Sequence, residues 1–247
     1  CLPWSTTLFA LSLSFLAMAQ GCSSSDTGGA TPAPSSGSSS GDAAAPAKTD
    51  AQYQQEVASQ MHDALLADLD ALVQAATEMQ AAAPTPTGRG WTAEDAAAIQ
   101  KAKEAWIRAR AAYEHIEGAL APIFPDIDAS IDARYDDFLS ELNGKGDDDL
   151  FDDQGVTGLH AVERILWADS APAHVVDFEK SLPGYKAASF PTTEKEAQDF
   201  KNILCKRVVL DATELRNQWQ PAKIDIAVAF QGLISLMNEQ REKVTKA

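Results

Sequence analysis

The stretch "VASQMHDALLADLDALVQAATEM" (57–79) decides the fold class of this chain. Its apolar residues recur at steps of three and four, which is the period of one face of an α-helix. The pattern predicts a long amphipathic helix over 51–82. The residues expected on its buried face are Val57, Met61, Leu65, Leu69, Leu72, Ala76 and Met79.

Five further segments are predicted to be helical. The second helix opens with the capping-box-like "TAED" (92–95) and runs to about Leu120. Its apolar face is expected to contain Ile99, Ala102, Trp106, Ala109, Tyr113 and Ile116. The others cover 129–143, 155–168, a segment from the capping box at Thr193 and Glu196 to Trp219, and 223–245. The proline-containing stretch 169–191 is expected to be a loop.

No window alternates polar and apolar residues with the period of a β-strand. The chain is therefore predicted to be all-α, with antiparallel helices in one or two bundles. Its net charge of −16 and its pI of about 4.5 exclude nucleic acid as an expected partner, because phosphates would repel such a surface. The acidity keeps the protein soluble and is compatible with a cationic ligand or a metal.

The N-terminal part has the pattern of a targeting segment. The apolar run and small residues of "LFALSLSFLAMAQGC" (8–22) indicate a signal peptide over 1–21 and a lipobox-like cysteine at Cys22. We expect lipid anchoring at Cys22, with cleavage by an ordinary signal peptidase as the alternative. Residues 22–49 are rich in Ser, Gly, Pro and Ala and predict a flexible linker, so the helical domain is expected over 50–247.

Cysteine usage excludes two classes of site. With Cys22 as the anchor, Cys205 is the one cysteine left in the helical part, so neither an intramolecular disulfide framework nor a thiolate metal cluster is expected. Cys205 lies on the apolar face of a predicted helix. It is therefore predicted to be a core residue and not a nucleophile.

Two segments place carboxylates where a buried surface is expected. In "YEHIE" (113–117), Glu114 and Glu117 share a helix face, and at least one of them should point toward the bundle interior. In "DIDASIDAR" (126–134), Asp126 and Asp128 have the position of helix caps, whereas Asp132 lies beyond the first turn. Solvated glutamates remain the simpler interpretation of the first pair alone.

"GLHAVERILW" (158–167) carries a histidine and a glutamate on one face of an otherwise apolar helix. His160 and Glu163 are three residues apart, and histidine and carboxylates at such spacing bind iron, manganese or zinc in helical bundles. A hydrogen-bonded core histidine is the alternative. Together with the carboxylates of the two preceding segments, His160 predicts a metal site, since a cation would relieve the repulsion between the carboxylates.

These motifs resemble the imelysin family of bacterial envelope proteins, which includes iron-uptake proteins of the EfeO and EfeM types. "ARAAYEHIEGALAPIFPDIDASIDAR" (109–134) is similar to the family's stretch with YE, IE and an ID-x-R ending. "GLHAVERILW" resembles its G-x-H-x-x-E motif. The resemblance implies an exported, all-helical protein of two bundle-like halves that is tied to iron.

The resemblance also implies a set of site residues. The metal ligands carried over are Glu114, Glu117, Asp132 and His160, with Glu163 as a further ligand or as the partner of the histidine. Arg134 is expected to balance charge beside them. Iron is the expected metal, with zinc, copper or calcium as alternatives. The expected location is the periplasm or cell envelope, and the expected partner is an inner-membrane iron permease or another envelope protein.

Two other functions remain open from the sequence. The family is also classed with metal-dependent peptidases, for which Glu163 could serve as the general base, although no second zinc-type histidine lies near it. A peptidase is the less expected function. The other alternative is a module that binds an acidic polysaccharide through metal bridges. The acidic loop "GDDDLFDD" (146–153) lacks the spacing of a calcium-binding EF-hand and is expected to be solvated.

Overall fold

A computed structural model of the chain describes residues 47–133, 151–152, 157–181, 188–224 and 226–246. Within these ranges the regular structure is entirely helical, which confirms the predicted all-α class. The helices are α1 (Asp50–Ala82), a 3₁₀ turn (Ala93–Asp95), α2 (Ala96–Leu120), α3 (Pro125–Ile131), α4 (Gly158–Leu166), α5 (Ala173–Ser181), α6 (Glu194–Asp199), a π-helical segment (Phe200–Cys205), α7 (Lys206–Trp219) and α8 (Ile226–Lys246). The predicted signal peptide, Cys22, the linker up to residue 46, Arg134 and most of the acidic loop lie outside the described residues.

The long helices α1 and α2 pack along each other and form the centre of the core. The predicted face of α2 is buried throughout, and so is most of that of α1. The prediction for Val57 is wrong: its side chain is 48% exposed, and Ala58 is buried in its place. Ala58 lies seven residues, almost two full turns, before Leu65 and so stays on the same face of the helix. Val57 is rotated by about 100° from Ala58 around the helix axis.

The helix predicted from Thr193 to Trp219 is a continuous rod made of α6, the π-helical segment and α7. Its start is the predicted capping box between Thr193 and Glu196. Cys205 is completely buried, which confirms it as a core residue, and burial raises the pKa of its thiol. At the other end, the Trp219 indole donates to the carbonyl of His62, 3.0 Å away, and thereby fastens the rod to α1.

The segments between α2 and α6 differ most from the prediction. The predicted helix 129–143 begins earlier, at Pro125, and its described part ends at Ile131. Proline at the first helical position explains that start, because its fixed φ suits a helix and its missing N–H is not needed there. A further helix, α5, lies within the predicted loop 169–191. Its buried side chain is charged, Glu179, so it lacks the apolar pattern that indicates a helix.

The last helix, α8, packs on α2 and α1. Helices α2 and α8 approach closely at Gly118 of α2, where an added Cβ would lie 2.9 Å from the backbone of Leu236 in α8. The outer face of α8 carries exposed apolar side chains, among them Phe230, Leu233 and Met237. Among the described residues, no helix combines the length and the apolar character that crossing a bilayer requires.

Candidate metal centre

The first turn of α4 packs directly against the C-terminal end of α3. Gly158 has φ +79°, and a Cβ added to it would lie 2.5 Å from the carbonyl oxygen of Ile131. Only glycine fits such a conformation and such a close approach. The Trp106 indole of α2 donates to the carbonyl of Leu159, 2.8 Å away. These two contacts fix His160 beside Asp132, the residue that follows α3.

His160 lies between two carboxylates. Its Nδ1 is 3.1 Å from Glu163 Oε2, one turn further along α4, and its Nε2 is 3.4 Å from Asp132 Oδ1. The His160 side chain is 28% exposed and that of Asp132 is 12% exposed. The structure thus brings together three of the residues nominated from the sequence, from two helices that the chain connects through residues 133–157.

Asp132 is the C-cap of α3, and not an interior residue of a longer helix as the sequence predicted. Its amide donates to the carbonyl of Asp128, 2.9 Å away, which holds it at the helix end. Burial raises the pKa of the Asp132 carboxyl, and the positive fields of Arg110 and His160 offset only part of that effect. The carboxylate is therefore held in an environment where its negative charge is costly, which is a setting that favours a cation.

Among the described residues, Arg110 of α2 is the arginine that contacts this cluster. Its Nη1 contacts Asp132 Oδ1, and its Nη2 contacts Glu114, one turn further along the same helix. Burial opposes its charge, but the fields of Asp132, Glu114 and Glu117 outweigh burial and raise the pKa of Arg110. The guanidinium is 18% exposed and always charged, so it neutralises part of the carboxylate set.

Tyr113, Glu117 and Asp128 complete the cluster. The Tyr113 hydroxyl donates to Asp128 Oδ1. Burial and the negative charge of Asp128 raise the pKa of Tyr113, so it remains a neutral donor. Asp126 and Asp128 lie in the first turn of α3, after its N-cap Phe124, so the prediction that they are the cap residues is wrong. One carboxylate oxygen of Glu117 is buried, as expected for at least one member of the Glu114 and Glu117 pair.

Arg110 was not predicted from the sequence. The resemblance implied that Arg134 balances the charge, and Arg134 lies outside the described residues. The signal for Arg110 was its position four residues before Glu114, but such pairs are common on solvated helix surfaces and so do not indicate a site. Among the described residues, no group of three or more His, Cys, Asp and Glu side chains has a geometry that could hold a metal ion. Any ion bound here requires the side chains to move, above all Arg110.

A cavity of about 320 Å³ borders the cluster. His160 and Glu163 lie in its wall, together with Trp167 at the end of α4, Val175 of α5 and apolar residues of the turn between the two helices. Arg164 also lines the cavity and pairs with Glu179 of α5, with Nε–Oε1 and Nη2–Oε2 distances of 2.5 and 2.6 Å. The histidine and the glutamate are therefore reachable from outside through this cavity.

Comparisons with known proteins agree with these motifs. The family model for imelysin matches residues 52–247. The chain is 36% identical to the iron uptake system component EfeO of Escherichia coli (strain K12) over 84 residues, which is 34% of this chain and 20% of that protein. EfeO of Shigella flexneri gives the same identity and coverage. The match thus spans about a fifth of the length of these curated relatives. No solved structure gives a significant match.

Proposed function

This chain belongs to the imelysin family, and on that premise we propose that it is a metal-binding protein of the bacterial cell envelope that captures or delivers iron. The ion would be held as cargo by His160, Asp132, Glu114 and Glu117, with Glu163 orienting the histidine. The observation that carries the proposal is the position of His160 between Glu163 and Asp132.

The two nitrogens of His160 have different tasks in this proposal. A histidine that donates from Nδ1 to a carboxylate presents the lone pair of Nε2 to a metal, which is the usual arrangement around histidine ligands. Nδ1 of His160 faces Glu163 at 3.1 Å, and Nε2 faces Asp132. Glu163 therefore acts through the histidine, and Asp132 shares the ion with it.

The separation of the two inner ligands supports the same assignment. Two atoms that lie about 2.1 Å from one ion, at angles between octahedral and tetrahedral, are about 3.0–3.4 Å apart. His160 Nε2 and Asp132 Oδ1 are 3.4 Å apart, at the upper end of that range. An imidazole with carboxylates and without a thiolate is a donor set that suits iron, manganese or zinc. The iron-uptake names of the relatives favour iron.

The proposal includes the location and the partner. A signal peptide over 1–21, a lipid anchor at Cys22 and a linker over 22–49 would tether a helical domain, 50–247, to the envelope. The family match over 52–247 and the start of α1 at Asp50 support the position of the linker boundary. An inner-membrane iron permease would receive the ion, because the relatives named as EfeO are components of an iron uptake system.

Calorimetry of the purified chain with ferrous iron under anaerobic conditions tests the proposal. The wild type should bind, and His160→Ala and Glu117→Gln should lose binding. His115→Ala is the matched control, because His115 also carries an imidazole on α2 but lies 3.5 Å from Asp68, away from the cluster. If His160→Ala binds iron as tightly as the control does, this site assignment is wrong. Elemental analysis of protein purified from its native envelope identifies the metal.

A further inference from the structure

We propose that Arg110 is a built-in competitor of the metal: its guanidinium occupies the carboxylates that the ion needs, which weakens binding and speeds release. The inference rests on the proposed metal site and concerns how tightly and how reversibly that site holds its cargo. A protein that hands an ion to a partner needs such reversibility, because an ion held too tightly does not leave.

The first observation is that Arg110 and His160 converge on one oxygen atom. Arg110 Nη1 contacts Asp132 Oδ1, and His160 Nε2 lies 3.4 Å from the same Oδ1. An ion shared by His160 and Asp132 would therefore bind the oxygen that Arg110 now contacts. A guanidinium and a metal ion on one oxygen would repel each other, so Arg110 must withdraw when the ion enters.

The second observation is that the other contact of Arg110 also falls on a proposed ligand. Its Nη2 contacts Glu114 Oε1, and the field of Glu117 acts on it as well. Each of these carboxylates stabilises the arginine in the metal-free protein and the ion in the loaded protein. The two cations therefore compete for one set of negative charges.

The third observation is that Arg110 has a second carboxylate partner with which it can stay in contact. The Glu114 side chain is 38% exposed, whereas that of Asp132 is 12% exposed. Arg110 can leave the buried Asp132 and keep its contact with one oxygen of the more exposed Glu114, while the second oxygen of Glu114 binds the ion, since Arg110 and Glu114 lie one turn apart on one face of α2. Its flexible stem of three methylene groups makes this a side-chain movement that needs no change of the helix.

Substitution of Arg110 by glutamine tests the inference. Arg110→Gln should bind ferrous iron at least about tenfold more tightly than the wild type, because the metal-free carboxylates lose their counter-ion. It should also release the ion to a chelator more slowly in stopped-flow measurements. Arg108→Gln is the matched control: it removes the same charge from the same helix, where Arg108 pairs with the exposed Glu78 at 2.6 Å. Its affinity should stay within about twofold of the wild type.

Arg110→Lys keeps the charge but cannot present a two-pronged fork to two carboxylates. Its affinity should lie between those of the wild type and Arg110→Gln, and it covers the case in which the glutamine variant does not fold. Weaker binding in either Arg110 variant would make Arg110 a positioning residue for Asp132 and overturn the inference. Equal tightening in the Arg108→Gln control would also overturn it, since a general charge effect would then suffice. Absence of any binding by the wild type overturns the proposed function itself.

Discussion

Two arginines, Arg164 in α4 and Arg110 in α2, are paired in opposite ways. Arg164 and Glu179 form a closed pair: two parallel hydrogen bonds of 2.5 and 2.6 Å join them, and their side chains are 9% and 0% exposed. Arg110 belongs to a shared cluster in which one guanidinium contacts Asp132 and Glu114. The closed pair balances one positive with one negative charge, whereas the part of the shared cluster that the structure describes contains more carboxylates than cations.

The difference separates a structural ion pair from the proposed ligand site. A buried pair whose two charges compensate each other cannot accept an ion without leaving one of its own charges uncompensated. A cluster with surplus negative charge gains when a cation enters. The arrangement of charges, more than the presence of charged residues, therefore distinguishes the part of α2, α3 and α4 in which we propose the metal site.

The largest expected effect comes from breaking the closed pair. Glu179→Ala leaves the Arg164 guanidinium buried without its partner and should lower the free energy of unfolding by about 3–5 kcal/mol. Urea denaturation followed by circular dichroism measures the change. Glu78→Ala, which removes the carboxylate of an exposed pair with Arg108, should cost no more than about 1 kcal/mol.

A double variant sharpens this test. Arg164→Met with Glu179→Leu replaces both charges by apolar side chains of similar size and should recover most of the lost stability. If Glu179→Ala costs no more than Glu78→Ala, the pair of Arg164 and Glu179 is not closed in solution.

The next effect comes from separating α4 from α3, which breaks the shared cluster. Gly158→Ala introduces a Cβ at a positive φ and against the Ile131 carbonyl, and should cost about 2–4 kcal/mol. Gly88→Ala is the matched control, because Gly88 also has a positive φ, +72°, but no atom lies within 4 Å of the added Cβ. It should cost only about 1 kcal/mol.

Metal affinity distinguishes the two glycine variants a second time. Gly158→Ala should weaken iron binding because His160 moves away from Asp132, and Gly88→Ala should leave it unchanged. Equal stability losses in the two variants would show that α4 does not rest tightly on the end of α3.

The smallest effect concerns the charge of Asp132 in the metal-free protein. Because the pKa of Asp132 is raised in the folded state, the folded chain binds this proton more tightly than the unfolded chain does. The contribution of Asp132 to stability is thus greatest below its unfolded pKa of about 3.8 and falls as the pH rises through the higher folded pKa. The Asp132→Asn variant has no carboxyl group to ionise here, so it does not lose this stability as the pH rises.

The variant should therefore gain stability relative to the wild type between acidic and neutral pH, by no more than about 1 kcal/mol, while it loses iron binding. Urea denaturation of both metal-free proteins at acidic and neutral pH measures the change. A variant that becomes less stable relative to the wild type as the pH rises would show that Arg110 stabilises the Asp132 carboxylate more than burial opposes it.

Local patterns predicted much of the fold but little of the charge arrangement. The apolar face of α2 and the capping boxes at Thr92 and Thr193 are set by residues within a few turns of each other, and they are confirmed. Helix α5 was missed because its buried residue is Glu179, whose partner Arg164 lies in another helix. A charged residue is predicted from the sequence to lie on the surface unless its buried partner is known.

The sequence by itself determined the helices and the spacing that puts His160 and Glu163 on one face, because both follow from the period of a helix. Only the tertiary structure decided that Asp132 lies beside His160 and that Arg110, which the motif did not indicate, contacts that aspartate. These contacts depend on how closely α3 and α4 approach at Gly158. Such an approach is set by packing between segments distant in the chain, which local periodicity does not encode.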